Sequence, residues 1–575
     1  MTYQKFQSPP PLGHAVPPSK EHAISVHFPA WADVAGYGAG SKEVTESLQN
    51  GYPRTFLHKY VQEFFKLCLR DLPPSVESIA VFPDYNSAVD CQSFLLNKTL
   101  NPEGAVDETD TSLFAVQLSR GPSQSEADFS CIPQLYAVTH PRRAEAVKMT
   151  FWRLNGRGIS SRLAKQGLQC SKCQMTSVTG SLPAPPSTHR LLAYDTLRKR
   201  VANLLSRAPI NTNKPLPGSN DVYLSASGMA ALYHVNQALL RWRSADIVML
   251  GFPYELSIKM IEMVGVPYHL YSFGTDRDID NLEELLIARA KEGRKIQSVW
   301  CESPNNPVLR TPDMLRVRAL ADKYDFLFVV DDTIGGAANI DVTDVADIIA
   351  TSLTKNFSGY ANTLGGSRLT GQIDSVVVNP NFHYYQELTT VLTATHVNNL
   401  YAEDALQLES NSRNYLERFT QQNKTAAYLI DFLFPYVADP KSALTTIYSP
   451  RVCWSRENYC KFMRPATEEF EPGFGSVFGV DFETTVQASA FFDNLPVCKG
   501  PSFGANVTIA LPYVQLVMQK QKEWARGHGL NETLIRISIG LEDPEVLLEH
   551  IKGALQAADE AKLQGYSNGK AHDLH

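Results

Sequence analysis

From about residue 190 to residue 355 the chain repeats one pattern: a short apolar run, a turn, an amphipathic stretch, then another apolar run. Leu192 to Leu205 has helical spacing, Val222-Tyr223-Leu224 reads as a short strand, and Gly228 to Leu240 is a helix with Leu232, Val235 and Leu239 on one face. Strands at Ile247–Leu250, Tyr268–Tyr271 and Ser298–Cys301 alternate with helices at Ser257–Val264, Leu282–Ala290 and Met314–Tyr324. Two more strands follow, one running into Phe328-Val329-Val330-Asp331-Asp332 and one into Ser352-Leu353-Thr354-Lys355. Such alternation predicts an α/β fold with a mainly parallel sheet and helices on both faces. Ligands of these sheets sit beyond the C-terminal ends of the strands, where Asp331 and Lys355 fall.

The bulk properties narrow the function classes. A chain of 575 residues is long enough for two or three domains. Its 43% hydrophobic and 20% charged content fits a globular protein. A formal net charge of −7 argues against nucleic acid as a partner. No apolar run approaches the roughly 20 residues of a membrane span, and Met1-Thr2-Tyr3-Gln4-Lys5 opens neither a secretory signal nor an Arg-rich presequence. Nine scattered cysteines read as reduced thiols, which predicts a cytoplasmic protein. Cys170-Ser171-Lys172-Cys173 has no second ligand pair to complete a zinc site, so it reads as chance spacing and no metal is expected.

The flanks are less regular. The first 20 residues are Pro-rich and are predicted to be disordered or loosely draped. Tyr60 to Leu69 is expected as helix, Ser78 to Phe82 as strand, residues 101–130 as loop, and residues 174–189 as a linker. These give an expected division into an N-terminal extension or arm (1–189), a large domain (190–410) and a smaller C-terminal α/β domain (411–575). In the last, Leu534–Ile539 is a strand, Asp543 an N-cap and Pro544 the first residue of a helix to about Ala561, with a frayed polar tail from Gln564.

Lys355 is flanked by the hydroxyls of Ser352 and Thr354, with Asp331 on a neighbouring strand. An amine for a Schiff base, hydroxyls for a phosphate and a carboxylate for a pyridinium together suit pyridoxal 5'-phosphate (PLP). Ser225-Ala226-Ser227-Gly228-Met229 stands where a strand becomes a helix, with free N–H groups for an anion; it is also compatible with a tightly packed turn. Glu302-Ser303-Pro304-Asn305-Asn306-Pro307 and Gly251-Phe252-Pro253-Tyr254 end two other strands. They offer an amide for a phenolic oxygen and a ring to stack on a cofactor, or an ordinary Asn-Pro turn and a packing tyrosine.

In order and position these fragments resemble the PLP-dependent enzymes of cysteine and methionine metabolism, the family of cystathionine γ-synthase, cystathionine lyases and methionine γ-lyase. The resemblance covers about residues 215–375 and 500–545. It implies fold type I (aspartate aminotransferase-like), with a mainly parallel seven-stranded sheet and a smaller C-terminal α/β domain. It implies Lys355 as the Schiff-base lysine, Ser352, Thr354, Gly228 and Met229 as phosphate ligands, Asp331 as the pyridinium partner, and Tyr254 as the stacked tyrosine. It implies Asn306 as ligand of the ring oxygen, Arg536 as the clamp on the substrate carboxylate, and Ser502 beside that carboxylate. Tyr52 and Arg54, in Gly51-Tyr52-Pro53-Arg54, resemble a Tyr-x-Arg pair that reaches the phosphate of the neighbouring subunit; this implies a homodimer or homotetramer with shared sites. The stretch Phe151-Trp152-Arg153-Leu154-Asn155-Gly156-Arg157 is similar to the fungal cystathionine γ-synthase branch.

That branch implies γ-replacement on O-acetyl- or O-succinylhomoserine by cysteine, giving cystathionine in transsulfuration. Three alternatives stand beside it: a specialised paralogue taking a carbon, sulfide or amine nucleophile, a cystathionine lyase, and a non-catalytic scaffold. The family's Tyr-Gly-x-Thr is Tyr254-Glu255-Leu256-Ser257 here, with Leu256 where methionine γ-lyases place a cysteine. After Lys355 the usual Gly-Asp-Ser-Asn is replaced by Gly359-Tyr360-Ala361-Asn362.

Overall fold

The computed structural model describes residues 8–18, 20–50, 56–178, 192–363 and 374–572, the last eight of these by backbone only. Seven strands line up in one sheet: β1 Val222–Ser225, β2 Ile247–Leu250, β3 Tyr268–Tyr271, β4 Ser298–Glu302, β5 Leu327–Asp331, β6 Ile348–Ser352 and β7 Asp374–Val378. Their order is β1-β7-β6-β5-β4-β2-β3. The run from β6 to β3 is parallel throughout, and β7 is antiparallel to both β6 and β1.

Side-chain alternation explains why these strands read as unbroken apolar runs. In β5, Leu327 and Val329 pack with Leu232, Val235, Leu239 and Met260, from helices Gly228–Trp242 and Glu255–Val264. Phe328 and Val330 point the other way, to Leu282, Val317 and Leu320 of helices Asp276–Lys291 and Met314–Tyr324. Both faces of the strand are dry, so each of these side chains contributes about 1.5–3 kcal/mol by burial.

A second sheet, Leu444–Tyr448, Val477–Phe482, Ile535–Ser538, Ile509–Pro512 and Cys498–Lys499 in spatial order, is covered by helices Thr485–Asn494 and Pro544–His572. Asp543 Oδ1 accepts the Glu545 N–H at 2.9 Å, so the last helix begins where its Asp-Pro signal places it. It runs on past Ala561 to His572. The Lys562 ammonium lies buried, donating to the Ser442 carbonyl at 2.8 Å and to Glu483 at 2.7 Å. Those partners are distant in sequence, so nothing local marks the continuation of the helix beyond Ala561. Helix Tyr415–Leu433 spans both halves, with Tyr415 and Phe419 in the large-sheet core and Leu429, Ile430 and Leu433 in the C-terminal one.

The N-terminal part departs from its expected form. Residues 15–16 pair with residues 25–26, and Val16 and Ile24 are buried against Ala361, Cys498 and Ile509. The proline-rich start is therefore packed over residues 8–18, held by apolar contacts that its local composition does not show. Residues 101–130 contain strand Leu113–Ser119 and a short helix, Glu126–Ser130. Only Val116 of that strand is fully buried, which leaves little period-2 signal. The strand sits in a four-stranded antiparallel sheet with Ser78–Phe82, Leu135–His140 and Lys172–Ser177. The last of these carries sheet structure into the expected linker as far as Ser177; residues 179–189 lie outside the described residues. Cys173 stands 3.6 Å from Cys68, sulfur to sulfur.

No helix among the described residues is long and apolar enough to cross a membrane. His27 ties the N-terminal segment to the C-terminal sheet: its Nδ1 accepts the Lys499 N–H at 3.0 Å. Burial, and then the Lys499 charge, hold the imidazole down at about 4, against an ordinary 6.5. Above pH 6.5 the ring is neutral in both folded and unfolded chains. Between 6.5 and 4 the unfolded chain takes a proton that the folded one refuses, so stability falls as pH falls through that window. His27→Gln keeps an acceptor and removes the titration. Denaturant unfolding from pH 7.5 to 4 should show a shallower acid-side loss for the variant, by up to about 1.4 kcal/mol per pH unit; parallel curves would refute the assignment.

Candidate active site

Parallel register brings the chemistry to one edge. Glu302, the last residue of β4, is paired with Asp331, the last of β5, and Ser352 ends β6. Beyond that edge a cavity of about 650 Å³ is lined by Gly228, Met229, Tyr254, Asn306, Asp331, Ser352, Lys355 and Arg536, among others. Ser502 and Thr354 are buried but do not line it. Tyr52 and Arg54 lie outside the described residues.

The Lys355 amine is buried, 3.5 Å from the Ser502 hydroxyl and 4.5 Å from the centre of the Phe503 ring. Arg536 approaches the same ring at 4.9 Å. Its two Nη atoms donate to Asn306 Oδ1 at 2.9 Å and to the carbonyls of Pro501 and Ser502 at 3.2 Å, which fixes the plane of the guanidinium. Asn306 spends its oxygen on Arg536, so its amide N–H groups can serve an acceptor in the cavity.

The carboxylates divide the work by environment. Asp331 accepts the Thr333 N–H at 2.9 Å, and burial raises its carboxyl above the ordinary range. Among the described residues no cation pairs with it. Burial, and then the neighbouring Asp331, push Glu302 well up as well. Glu302 accepts the N–H groups of Tyr254 and, at 3.0 Å, Asn306, so one carboxyl sets two cavity walls. Asp332 faces away from the cavity to the Thr351 hydroxyl; burial holds it up at about 7.

The residues present fit PLP. The Ser352 Oγ is buried with no hydrogen-bond partner, an orphan that a phosphate oxygen would satisfy. At the start of helix Gly228–Trp242, Ser227 takes the N–H groups of Ala230 and Ala231, leaving those of Gly228 and Met229 at the cavity as anion donors. Asp331 lacks the positive partner that a protonated pyridine nitrogen would provide.

Several contributors escape sequence reading. Arg418, from helix Tyr415–Leu433, sends its buried guanidinium to the carbonyls of Asn356, Phe357, Ser358 and Asn411 and clamps the turn after Lys355. Backbone acceptors leave no motif, so nothing in the chain flags this arginine. Glu255, at the family's glycine position, lines the cavity and accepts the Tyr513 hydroxyl at 3.2 Å. Tyr360 and Ala361 do not line it: Ala361 packs against Val16 and Ile24, and Tyr360 lies against Arg418. Of the two departures from the synthase pattern, Ala361 is the one in contact with the N-terminal segment.

Comparison with known proteins agrees with this geometry. Residues 199–556 match the family described as Cys/Met metabolism PLP-dependent enzyme, and residues 60–160 match the fungal trans-sulfuration enzyme N-terminal domain. The chain is 36% identical to an alanine racemase (ungC) of Aspergillus violaceofuscus, over 96% of this chain and 97% of the relative. It is 33% identical to a cystathionine gamma-synthase-like enzyme (iboG2) of Amanita muscaria, over 98% and 99%. A cystathionine gamma synthase crystal structure from Xanthomonas oryzae pv. oryzae shares the fold, with a TM-score of 0.52 and 19% identity over 67% of this chain and 92% of that one. The chain belongs to the PLP-dependent enzymes of cysteine and methionine metabolism and is cystathionine γ-synthase-like.

Proposed function

We propose that this protein is a cytoplasmic transferase that carries out γ-replacement on O-acetyl- or O-succinylhomoserine, with cysteine as nucleophile and cystathionine as product. The observation that carries the reading is one cavity holding the Lys355 amine, the plane-fixed Arg536 guanidinium and the Asn306 amide. When bound, PLP supplies an electron sink for the charge that develops at Cα. Asp331 would keep a proton at the ring nitrogen. Tyr254 would face the ring, Ser352, Gly228 and Met229 would hold the phosphate with Thr354 behind them, and Asn306 would donate to the ring oxygen. Arg536, with Ser502 beside it, grips the substrate carboxylate and orients Cα toward Lys355. Lys355 takes the Cα proton, a proton leaves Cβ, the acyl group departs from Cγ as a carboxylate, the cysteine sulfur bonds there as its thiol proton is released, and one proton each is returned to Cβ and to Cα. Leu256, where methionine γ-lyases carry a cysteine, weighs against that lyase activity.

A second reading, racemisation of a small amino acid, is favoured by the 36% identical relative named as an alanine racemase. Both reactions remove the Cα proton. Racemisation then returns one to the opposite face and needs no leaving group. PLP-loaded enzyme given either acylhomoserine and cysteine should form cystathionine and free carboxylate. Interconversion of L- and D-alanine without cystathionine would establish the second reading instead, and ammonia with α-ketobutyrate from cystathionine would establish a lyase.

Replacing Arg536 by Lys keeps the charge and loses the planar fork. We expect kcat/KM to fall about 10- to 100-fold, the equivalent of one charge-assisted hydrogen bond, while PLP absorbance is retained.

Tyr52 and Arg54 are assigned to the phosphate of a neighbouring subunit in a homo-oligomer. Arg54→Ala and Lys355→Ala proteins, each inactive alone, should regain activity when mixed under conditions of subunit exchange. No recovery with exchange demonstrated by labelled chains would refute shared sites.

A further inference from the structure

The N-terminal unit touches helix Gly228–Trp242 at its N-cap. Helix Glu145–Asn155 ends at Gly156, whose carbonyl accepts the Ser227 hydroxyl at 2.7 Å. Ser227 is the N-cap of helix Gly228–Trp242, and its oxygen accepts the Ala230 N–H at 2.8 Å. A hydroxyl has one proton. Giving it to Gly156 aims a lone pair at Ala230, so the N–H groups of Gly228 and Met229 stay available at the cavity.

Further contacts hold the approach in place. Arg157 is buried, ion-pairs with Asp90 of the N-terminal unit, and lies 4.8 Å from the centre of the Tyr233 ring on the same helix. Tyr233 in turn donates to Asp90 at 3.4 Å. Leu154 shares an apolar layer with Met229 and Leu232. Only glycine fits at 156: its φ is +70°, and a Cβ there would stand 2.4 Å from both the Ala230 nitrogen and the Ser227 oxygen. The orphaned Ser352 hydroxyl, lining the same cavity, marks the ligand side of this helix start.

We propose that residues 154–157 belong to the phosphate end of the cofactor site: they orient the Ser227 cap, and through it the N-terminal unit sets how tightly the PLP phosphate is held. Gly156 and Arg157 are positioning residues, acting through Ser227 and Tyr233. The inference rests on the family's PLP dependence and is independent of which nucleophile the enzyme takes.

The test compares PLP with pyridoxal, which carries the same aldehyde and ring but no phosphate. Dissociation constants of both would be measured by absorbance titration of full-length apoenzyme, for the wild type, Gly156→Ala and Arg157→Lys. The expected result is PLP binding weakened about tenfold or more, the loss of one charge-assisted N–H bond to phosphate, with pyridoxal binding changed less than about twofold. Arg157→Lys keeps the charge and loses the flat contact on Tyr233, so it decides the matter should Gly156→Ala fail to fold. Equal weakening for both ligands would show a general structural role and overturn the proposal, as would unchanged binding of both.

Discussion

The parallel ladder of β4, β5 and β6 is the constraint on which the site depends. It pairs Glu302 with Asp331 and runs Ser352 out beside them, so a carboxyl, a second carboxyl and a hydroxyl leave the sheet at one edge. Parallel strands need crossover helices, and those helices bury both faces of the sheet. The edge beyond the strands is then the place where polar side chains can gather without disturbing the core. The seven-residue path from Ala350 to Asn356 turns out of β6 and brings Lys355 back over this edge, held there by the Arg418 guanidinium on the carbonyls that follow.

Burial gives these groups their character. Asp331 and Glu302 sit together in a dry environment that raises both, yet their hydrogen bonds run to different places. Glu302 is committed to the backbone of Tyr254 and Asn306 and shapes the cavity wall. Asp331 has one backbone donor and stays open to a cationic partner. Lys355 and Arg536 both approach the ring of Phe503. The same logic extends outward to Arg157 between Asp90 and Tyr233, where a buried charge links the N-terminal unit to the helix that opens the phosphate end.

How much of this was legible in the chain depended on the range of the interactions. The strands of the large sheet were legible because doubly buried strands are continuous apolar runs and their helices have 3.6-residue spacing. Lys355 and Asp331 were legible because they stand at or just past the ends of strands, so sequence position gives spatial position; Asn306 and Tyr254 also stand past strand ends, but their roles came from the family resemblance. Strand Leu113–Ser119 was not, since one buried valine leaves no pattern. Arg418 was not, since it binds backbone carbonyls, which carry no side-chain signature. The anchoring of Lys562 was not, since its partners, Ser442 and Glu483, are far away in sequence. The replacement at Tyr360 and Ala361 stands close to Lys355 in the chain, and only packing shows that Ala361 meets Val16 and Ile24.

By itself, then, the sequence determined the α/β class, the edge at which a ligand binds, and the residue types gathered there, because hydrophobic period and strand ends are local properties. The tertiary structure alone decided which of those groups meet: that Arg536 turns its guanidinium onto Asn306, that Glu302 braces two walls, and that Gly156 reaches the cap of a helix 72 residues further on, Ser227 being 71 residues away. These are contacts between segments distant in the chain, fixed by how helices and sheets pack, and no local pattern encodes them.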